Sequence, residues 1–447
     1  MRHKGLIAGV LALTLVLGLA GAATAGEKPR LKVWLMTTFV DAQNNWLRAK
    51  TEAWGKEANV DVDISMLPRN AYGEKVFAAI EARTTPDVVL MGEPGPILAA
   101  ELGLTIPIDD VVEKLGRDDF YPRIITALTA PDSVTGTKRV WAIPMFFELR
   151  PAEIRVDLLE KAGMKIPEKP DYAWLFQAAR AMNNPPKVYG LGLTLGRSYD
   201  THDNIMALIY SYGGGLISDR SPKGADVFNG PGTWRAFDDL KKLYKDGVIP
   251  PDAVAWGDFD NNLAFMEGRA AIVINGLSIY YKMVQDKNPL AQVTKEVPLS
   301  GGWVDNAGGE ANFVFKSNPQ REALGKDLLH YIMKDKEDYR VGFCEASQLY
   351  ALPIFKSQGR VISQQWKVGK WPVYAIDPMA SVDTAYNSWP TAYPINEGLS
   401  VVEKIMGSFL IPEKAVVLFT RNADSKAVAK DIADSINREL EKTYGKR

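Results

Sequence analysis

Along the first hundred residues the hydrophobic positions switch between a two-residue and a 3.6-residue period. Leu31-Lys-Val-Trp-Leu-Met36 reads as a strand. From Asn45 to Ala58, residues Trp46, Leu47, Ala53, Trp54 and Ala58 share one stripe, which predicts a helix. Val60, Val62, Ile64 and Met66 alternate with Asp61, Asp63 and Ser65, the pattern of a half-exposed strand. Asn70 stands where a helix cap is wanted, before an inner face of Tyr72, Val76, Phe77 and Ile80. Asp87 to Met91 is the next strand. This βαβαβ order predicts an α/β fold, a parallel sheet with helices on both sides.

Farther along, Trp141 to Met145 begins a new region, and helices are expected from Arg155 to Gly163, Asp171 to Met182, Thr201 to Tyr212 and Pro231 to Asp246. Leu263, Phe265 and Met266 read as the end of a helix closed by Gly268. Ala270 to Ile274 is a short apolar run suited to a strand buried on both faces. Asn275-Gly276 stops that strand, and Ser278 is placed to cap a helix carrying Tyr280 and Tyr281. Ligands of open α/β sheets collect beyond the carboxyl ends of strands, so the space above Asn275-Gly276 is a candidate site. Phe313 to Phe315 is a strand, and helices are expected from Pro319 to Met333 and from Ser425 to Tyr444. Tyr350 to Trp389 is rich in Pro and Trp and has little periodicity.

A chain of 447 residues is long enough for two domains with their own cores. Its N-terminus joins the basic Arg2, His3 and Lys4 to an apolar run from Leu6 to Ala20 and a small-residue site, Ala23-Thr-Ala25. That is the layout of a secretory signal peptide over residues 1–25, cleaved after Ala25, and the run is too short for a comfortable membrane span. No cysteine lies near the cleavage site, which argues against a lipid anchor. Basic and acidic side chains number 53 and 54, without a Lys/Arg block in the mature region, so a nucleic-acid surface is not expected. Cys344, the single cysteine, leaves an exported chain without an internal disulfide and reads as a small buried apolar residue. Gly190-Leu-Gly-Leu-Thr-Leu-Gly196 imitates a dinucleotide fingerprint, but its last glycine comes one residue late. The sequence holds no P-loop, no His-x-x-x-His, no cysteine cluster and no Gly-x-Ser-x-Gly. Neither an enzyme nor a metal or cofactor site is expected. The 11 Trp, 17 Tyr and 16 Phe suit cores and flat stacking contacts with a ligand.

The segment Phe265-Met-Glu-Gly-Arg-Ala-Ala, ending in Asn275-Gly276 and aromatics, resembles a motif of the family 1 extracellular solute-binding proteins, receptors of ABC importers. Pro86-Asp-Val-Val89, Glu101 to Asp109, Gly136 to Pro144, Asp157-Leu-Leu-Glu-Lys-Ala-Gly163, Lys326 to Met333 and Leu349 to Pro353 are similar to further family segments in the same order. Departures are Asp171-Tyr-Ala-Trp174 at one helix start and Tyr350 at the hinge, where a small residue is usual. The resemblance implies a two-lobed periplasmic-binding-protein fold with the solute in the cleft between lobes. It divides the chain into a first lobe of 26–144 plus 303–352 and a second of 145–302 plus 353–447, with crossings near Pro144–Glu148, Pro298–Gly302 and Tyr350–Phe355.

Strand ends and crossings then nominate the ligand-binding residues: Thr38, Phe39, Glu93, Phe147, Glu148, Arg150, Asn275, Gly276, Trp303, Glu310, Tyr350 and Trp389. Aromatic faces with carboxylates suit a sugar or oligosaccharide. Glu148 and Glu310 are alternatively hinge ion-pair partners, and Arg150 alternatively binds an anionic head group. The resemblance implies a monomeric periplasmic receptor whose partner is an ABC permease in the inner membrane. Rival readings are a glycerol phosphoester or polyamine ligand, an exported glycan-acting enzyme, and a periplasmic chaperone. Two or three cleft Arg or Lys favour the phosphoester; a cleft dominated by carboxylates favours the polyamine.

Overall fold

The computed structural model describes residues 28–92, 95–300, 303–305, 310–375, 377–379, 388–390, 392–395 and 397–445, without the side chains of residues 70, 303–305 and 388–390. The signal-peptide segment lies outside these residues.

The expected βαβαβ start is present. Strand Arg30–Thr37 pairs in parallel with Asp61–Pro68 on one side and Val88–Gly92 on the other, with Val33 opposite Ile64 and Val88. The sheet is completed by Ala311–Val314, antiparallel to Val88–Gly92, and by Ile143–Pro144 at the edge. One antiparallel strand enters because the chain leaves this lobe after residue 149 and returns from the other side near residue 311. Val33, Leu35, Val88, Val89 and Leu90 are fully buried, as a strand covered on both faces requires.

Helix Asp41–Glu57 starts four residues before its expected beginning, and Asn44 is tied back to the loop by accepting from the Thr38 N–H at 3.0 Å. Helix Arg69–Ala82 begins at Arg69 directly after Pro68, so the cap position falls on Pro68 and Asn70 lies inside the first turn. The pyrrolidine ring of Pro68, at φ −58°, sets the strand-to-helix turn instead. Ser278 likewise opens helix Ser278–Gln285 without a capping bond. Asp171 and Ser198 do cap helices Tyr172–Met182 and Tyr199–Ser211, accepting from Trp174 N–H and Thr201 N–H. Within the stretch that showed little periodicity, helix Lys356–Lys367 forms with Gly359 and Ile362 inward. Its polar composition hid the stripe.

Two hydrophobic cores account for the two lobes. The first gathers Leu31 to Leu149 and Ala311 to Met379; the second gathers Ala152 to Leu299 and Ala392 to Tyr444. The segment from Ile354 to Met379 therefore packs with the first core, whereas the boundary drawn from sequence assigned it to the second lobe. The Phe355 ring packs tilted against Phe120, 4.7 Å between centroids, and Gly359 lies against the Tyr121 hydroxyl, which fixes the segment there. The second lobe carries a three-stranded antiparallel sheet in the order Thr294–Val297, Ala152–Arg155, Ile272–Ile274. Between the cores, Phe147–Glu148 pairs with Ala351–Leu352, Glu148 opposite Ala351. Helix Ser278–Gln285 spans the junction: Tyr281 joins the first core, Ile279 and Met283 the second, and Tyr280 packs on both.

Cys344 is buried and unpaired by disulfide, its thiol pushed up to about 12 by burial, as its apolar neighbourhood predicted. Among the described residues no helix is long and apolar enough to cross a membrane.

Candidate functional site

The carboxyl ends of two parallel strands deliver Thr38, Phe39 and Arg69 to the junction, the position at which open α/β sheets take ligands. The two-stranded crossing contributes Glu148 and Tyr350. From the second lobe come Arg150, Asp200, Asp258, Phe259, Asn262, Asn275 and Ser278. Together these residues line a narrow cleft cavity of about 30 Å³, part of it open to solvent.

Arg150 is the electrostatic centre. Its guanidinium is 4% exposed and lies 2.8 Å from Asp200 Oδ1, 3.2 Å from Asp203 Oδ2 and 3.5 Å from Glu148 Oε2. Asp200 and Asp203 reach it together because residues three apart share a helix face, here on Tyr199–Ser211. Burial works against the Arg150 charge, yet the three carboxylates more than offset it and hold its pKa well above the ordinary value. Across the cleft Arg69 pairs with Glu310, with the Tyr199 ring 5.6 Å from the guanidinium carbon.

Both open-sided carboxyls are pushed up. Glu148 rises to about 7, through burial first, opposed by Arg150 and reinforced by Glu310. Asp258 rises to about 6, through burial and the neighbouring charge of Asp200. Glu148 Oε2 has no hydrogen-bond partner, while Asp258 Oδ1 accepts from Asp200 N–H at 3.1 Å.

Amides complete the second-lobe wall. Asn275 donates to Asn262 Oδ1 at 2.6 Å and accepts from its neighbour Gly276 N–H at 2.7 Å. Asn261 donates to Asp200 Oδ2 and Asn204 to the Ile274 carbonyl, locking helix, turn and strand end into one network. Gly276 is required by contact: a Cβ there would stand 1.9 Å from Glu148 Oε1 and 2.9 Å from the Tyr350 ring. Phe39 and Phe259, one from each side, meet at 5.2 Å between ring centroids.

Of the residues nominated from sequence, Thr38, Phe39, Glu148, Arg150, Asn275 and Tyr350 line this cavity. Gly276 and Glu310 stand behind it, the first against Glu148 and the second paired with Arg69. Phe147 does not line it; at 2% exposure it belongs to the first core, because the residue beside Glu148 on a strand points to the opposite face. Glu93 and the side chains of Trp303 and Trp389 lie outside the described residues. Arg69, Asp200, Asp258, Phe259, Asn262 and Ser278 went unrecognised. For Arg69 a signal was present: it follows strand Asp61–Pro68, as Thr38 follows the first strand. Among the described residues no group of three or more His, Cys, Asp or Glu is arranged to hold a metal ion.

The chain matches the family described as bacterial extracellular solute-binding protein over residues 41–338. It is 27% identical over 206 residues to the mannitol-binding protein of Pseudomonas aeruginosa, a match covering 45% of this chain and 44% of that one. The aligned part is thus less than half the length of this curated relative. Among solved structures, the fold is similar to maltose-bound MalE3 of T. maritima, with TM-score 0.71 and 19% identity over 91% of this chain and 99% of that one. A sugar transporter from Arthrobacter chlorophenolicus with bound laminaribiose gives TM-score 0.73 and 20% identity, covering 92% and 99% of the two chains. A solute-binding protein from Agrobacterium vitis with bound D-mannitol gives 0.71 and 17%, covering 93% and 99%.

Proposed function

The chain belongs to the bacterial extracellular solute-binding protein family, and on that premise we propose that it is the periplasmic receptor of an ABC importer for a small polyhydroxylated solute, a sugar or sugar alcohol. The observation that carries this reading is the junction cavity, whose polar wall comes from both lobes. Carboxylates and amides accept and donate to vicinal hydroxyls, and Phe39, Phe259 and Tyr350 offer apolar faces to C–H surfaces. Mannitol, maltose and laminaribiose as ligands of its relatives point the same way. Closure of the lobes on the solute forms the surface read by the permease, a hinge motion driven by tighter binding to the closed state. The protein is exported with cleavage after Ala25, acts as a monomer and performs no catalysis on the solute.

A glycerol phosphoester is disfavoured: the two cleft guanidiniums are already engaged by Glu148, Asp200, Asp203 and Glu310. The excess of carboxyls over guanidiniums in the cleft, Glu148, Asp200 and Asp258 against Arg69 and Arg150, keeps a polyamine as the second reading, which putrescine tests. Thermal unfolding against mannitol, other alditols, mono- and disaccharides, glycerol phosphate and putrescine tests this. A sugar or alditol at about a thousand times its Kd should stabilise by roughly 4 kcal/mol without being consumed. Stabilisation by glycerol phosphate alone, or turnover of a glycan, would overturn the reading.

A further inference from the structure

Beside the cavity the two lobes touch directly. The cavity lies over the carboxyl ends of strands Asp61–Pro68 and Arg30–Thr37, which deliver Arg69, Thr38 and Phe39 to it. The next strand of the sheet, Val88–Gly92, is parallel to these and ends on the same rim, about 4.8 Å farther along. The chain that follows it forms helix Pro96–Glu101, and none of residues 95–101 lines the cavity. Over this part of the rim stands helix Ser400–Gly407 of the second lobe.

Hydrogen bonds clasp the two helices across the cleft. Ile97 N–H donates to Glu403 Oε1 at 3.0 Å, and Leu98 N–H to Glu403 Oε2 at 2.6 Å. The Ser400 hydroxyl donates to Glu101 Oε2 at 2.8 Å, and the Tyr444 hydroxyl to Glu101 Oε1 at 3.0 Å. Alongside, Gly398 N–H donates to the Thr129 carbonyl, and a Cβ on Gly398 would stand 2.7 Å from the Ile97 side chain. Each of these bonds runs from one lobe to the other: Ile97 and Ala99 belong to the first core, Leu399, Val401 and Tyr444 to the second. Groups bonded at 2.6–3.0 Å leave no room for a sugar ring between them.

Resting on the solute-receptor reading above, we propose that Glu403, with Glu101, sets the size limit of the receptor: the clasp shuts the cleft beyond the second strand, so the preferred solute is a single sugar ring or a single alditol, and a disaccharide is refused. A solute enters when the lobes part, and the clasp re-forms as they close. One ring held over Thr38 and Arg69 lets the clasp re-form. A second ring reaching toward Ile97 leaves the Glu403 carboxylate and two N–H groups unpaired, which discriminates by penalty rather than by added attraction. In the other direction Phe39 and Phe259, 5.2 Å apart, close the wall.

The test is calorimetric titration of the purified chain with neutral solutes of one unit and two: glucose against maltose and laminaribiose, and D-mannitol against glucosyl-mannitol. A hydrogen bond to a charged group is worth about tenfold to a hundredfold in affinity, so the single unit of the better pair should bind at least about a hundredfold more tightly than its two-unit partner. In Glu403→Ala that ratio should fall by about tenfold or more. Glu101→Ala frees Ser400 and Tyr444 but keeps Glu403, and should lower the ratio as well; thermal unfolding of each variant confirms that it is folded. Equal or tighter binding of the two-unit solute by the natural chain would overturn the size limit and leave the receptor standing. An unchanged ratio in both folded variants would overturn the assignment of that limit to the clasp. If no sugar or alditol binds, the proposed receptor function falls, and this inference with it.

Discussion

At Arg150 three carboxylates converge on one guanidinium that is only 4% exposed. Removing one partner from such a group leaves the others charged and unpaired, a loss of about 3–5 kcal/mol for buried ion pairs. Arg150→Gln is therefore expected to lower the free energy of urea unfolding by that amount and to abolish solute binding. A variant as stable as the parent would show that the acids simply take up protons. The neighbouring residues show how far chemistry is readable from sequence. Glu148 and Arg150 stood out by their place after a predicted crossing, but Asp200 and Asp203 looked like any acids in a helix. Their meaning depends on Arg150, fifty positions away in the chain.

Among the elements, the sheet of the second lobe carries an unusual pair. Glu153 and Glu296 stand directly opposite on adjacent antiparallel strands, both fully buried, with none of their four carboxyl oxygens hydrogen-bonded. Tyr374 and Tyr280 face them, and neither glutamate is in an ion pair with a described residue. Burial pushes both well above the ordinary carboxylate range, with Glu296 adding to Glu153. Folded values above unfolded ones mean that this contribution to stability is complete below the unfolded value, about pH 4, and fades as pH rises through the folded values. Unfolding midpoints between about pH 6 and pH 9 should consequently fall more steeply for the natural chain than for E153Q/E296Q. Parallel slopes would show that the pair holds no proton. Glu296 N–H also donates to the Val373 carbonyl, at 3.0 Å, so the pair sits where the second sheet meets a segment of the first core.

On the scale of the whole molecule, three raised carboxyls stand between the lobes. Glu148 and Asp258 line the cleft, and Glu403, pushed up to about 7 by burial, accepts from Ile97 and Leu98 N–H on the opposite lobe. Arg69, Arg150, Glu310 and Asp200 face the first two, and Glu101 lies near the third. A closed arrangement that raises these values binds protons more tightly than an open one. Its proton-linked stability is full below about pH 4 and is lost as pH climbs through about 6 to 7. Ligand-free protein should accordingly open with rising pH, seen as a larger radius of gyration in small-angle scattering at about pH 8.5 than at about pH 5. A radius independent of pH would show that these acids do not govern closure.

The alternating strand and helix periods and the order of elements through Val88–Gly92 were legible in the sequence. They rest on interactions within a few residues, which a local pattern records. The two-lobed family fold was legible as well, through short motifs kept in order along the chain. Packing decided the rest. Residues 354–379 joined the first core because Phe355 found Phe120, a contact across more than two hundred positions that no local period encodes. Half of the nominated site came together on the cleft, while Phe147 turned inward on the opposite face of its strand. Arg69, Asp200, Asp258 and Asn262 acquired roles only when two separate cores were brought face to face. Side-chain period is a property of neighbours along the chain; the charge balance of a cleft is a property of neighbours in space.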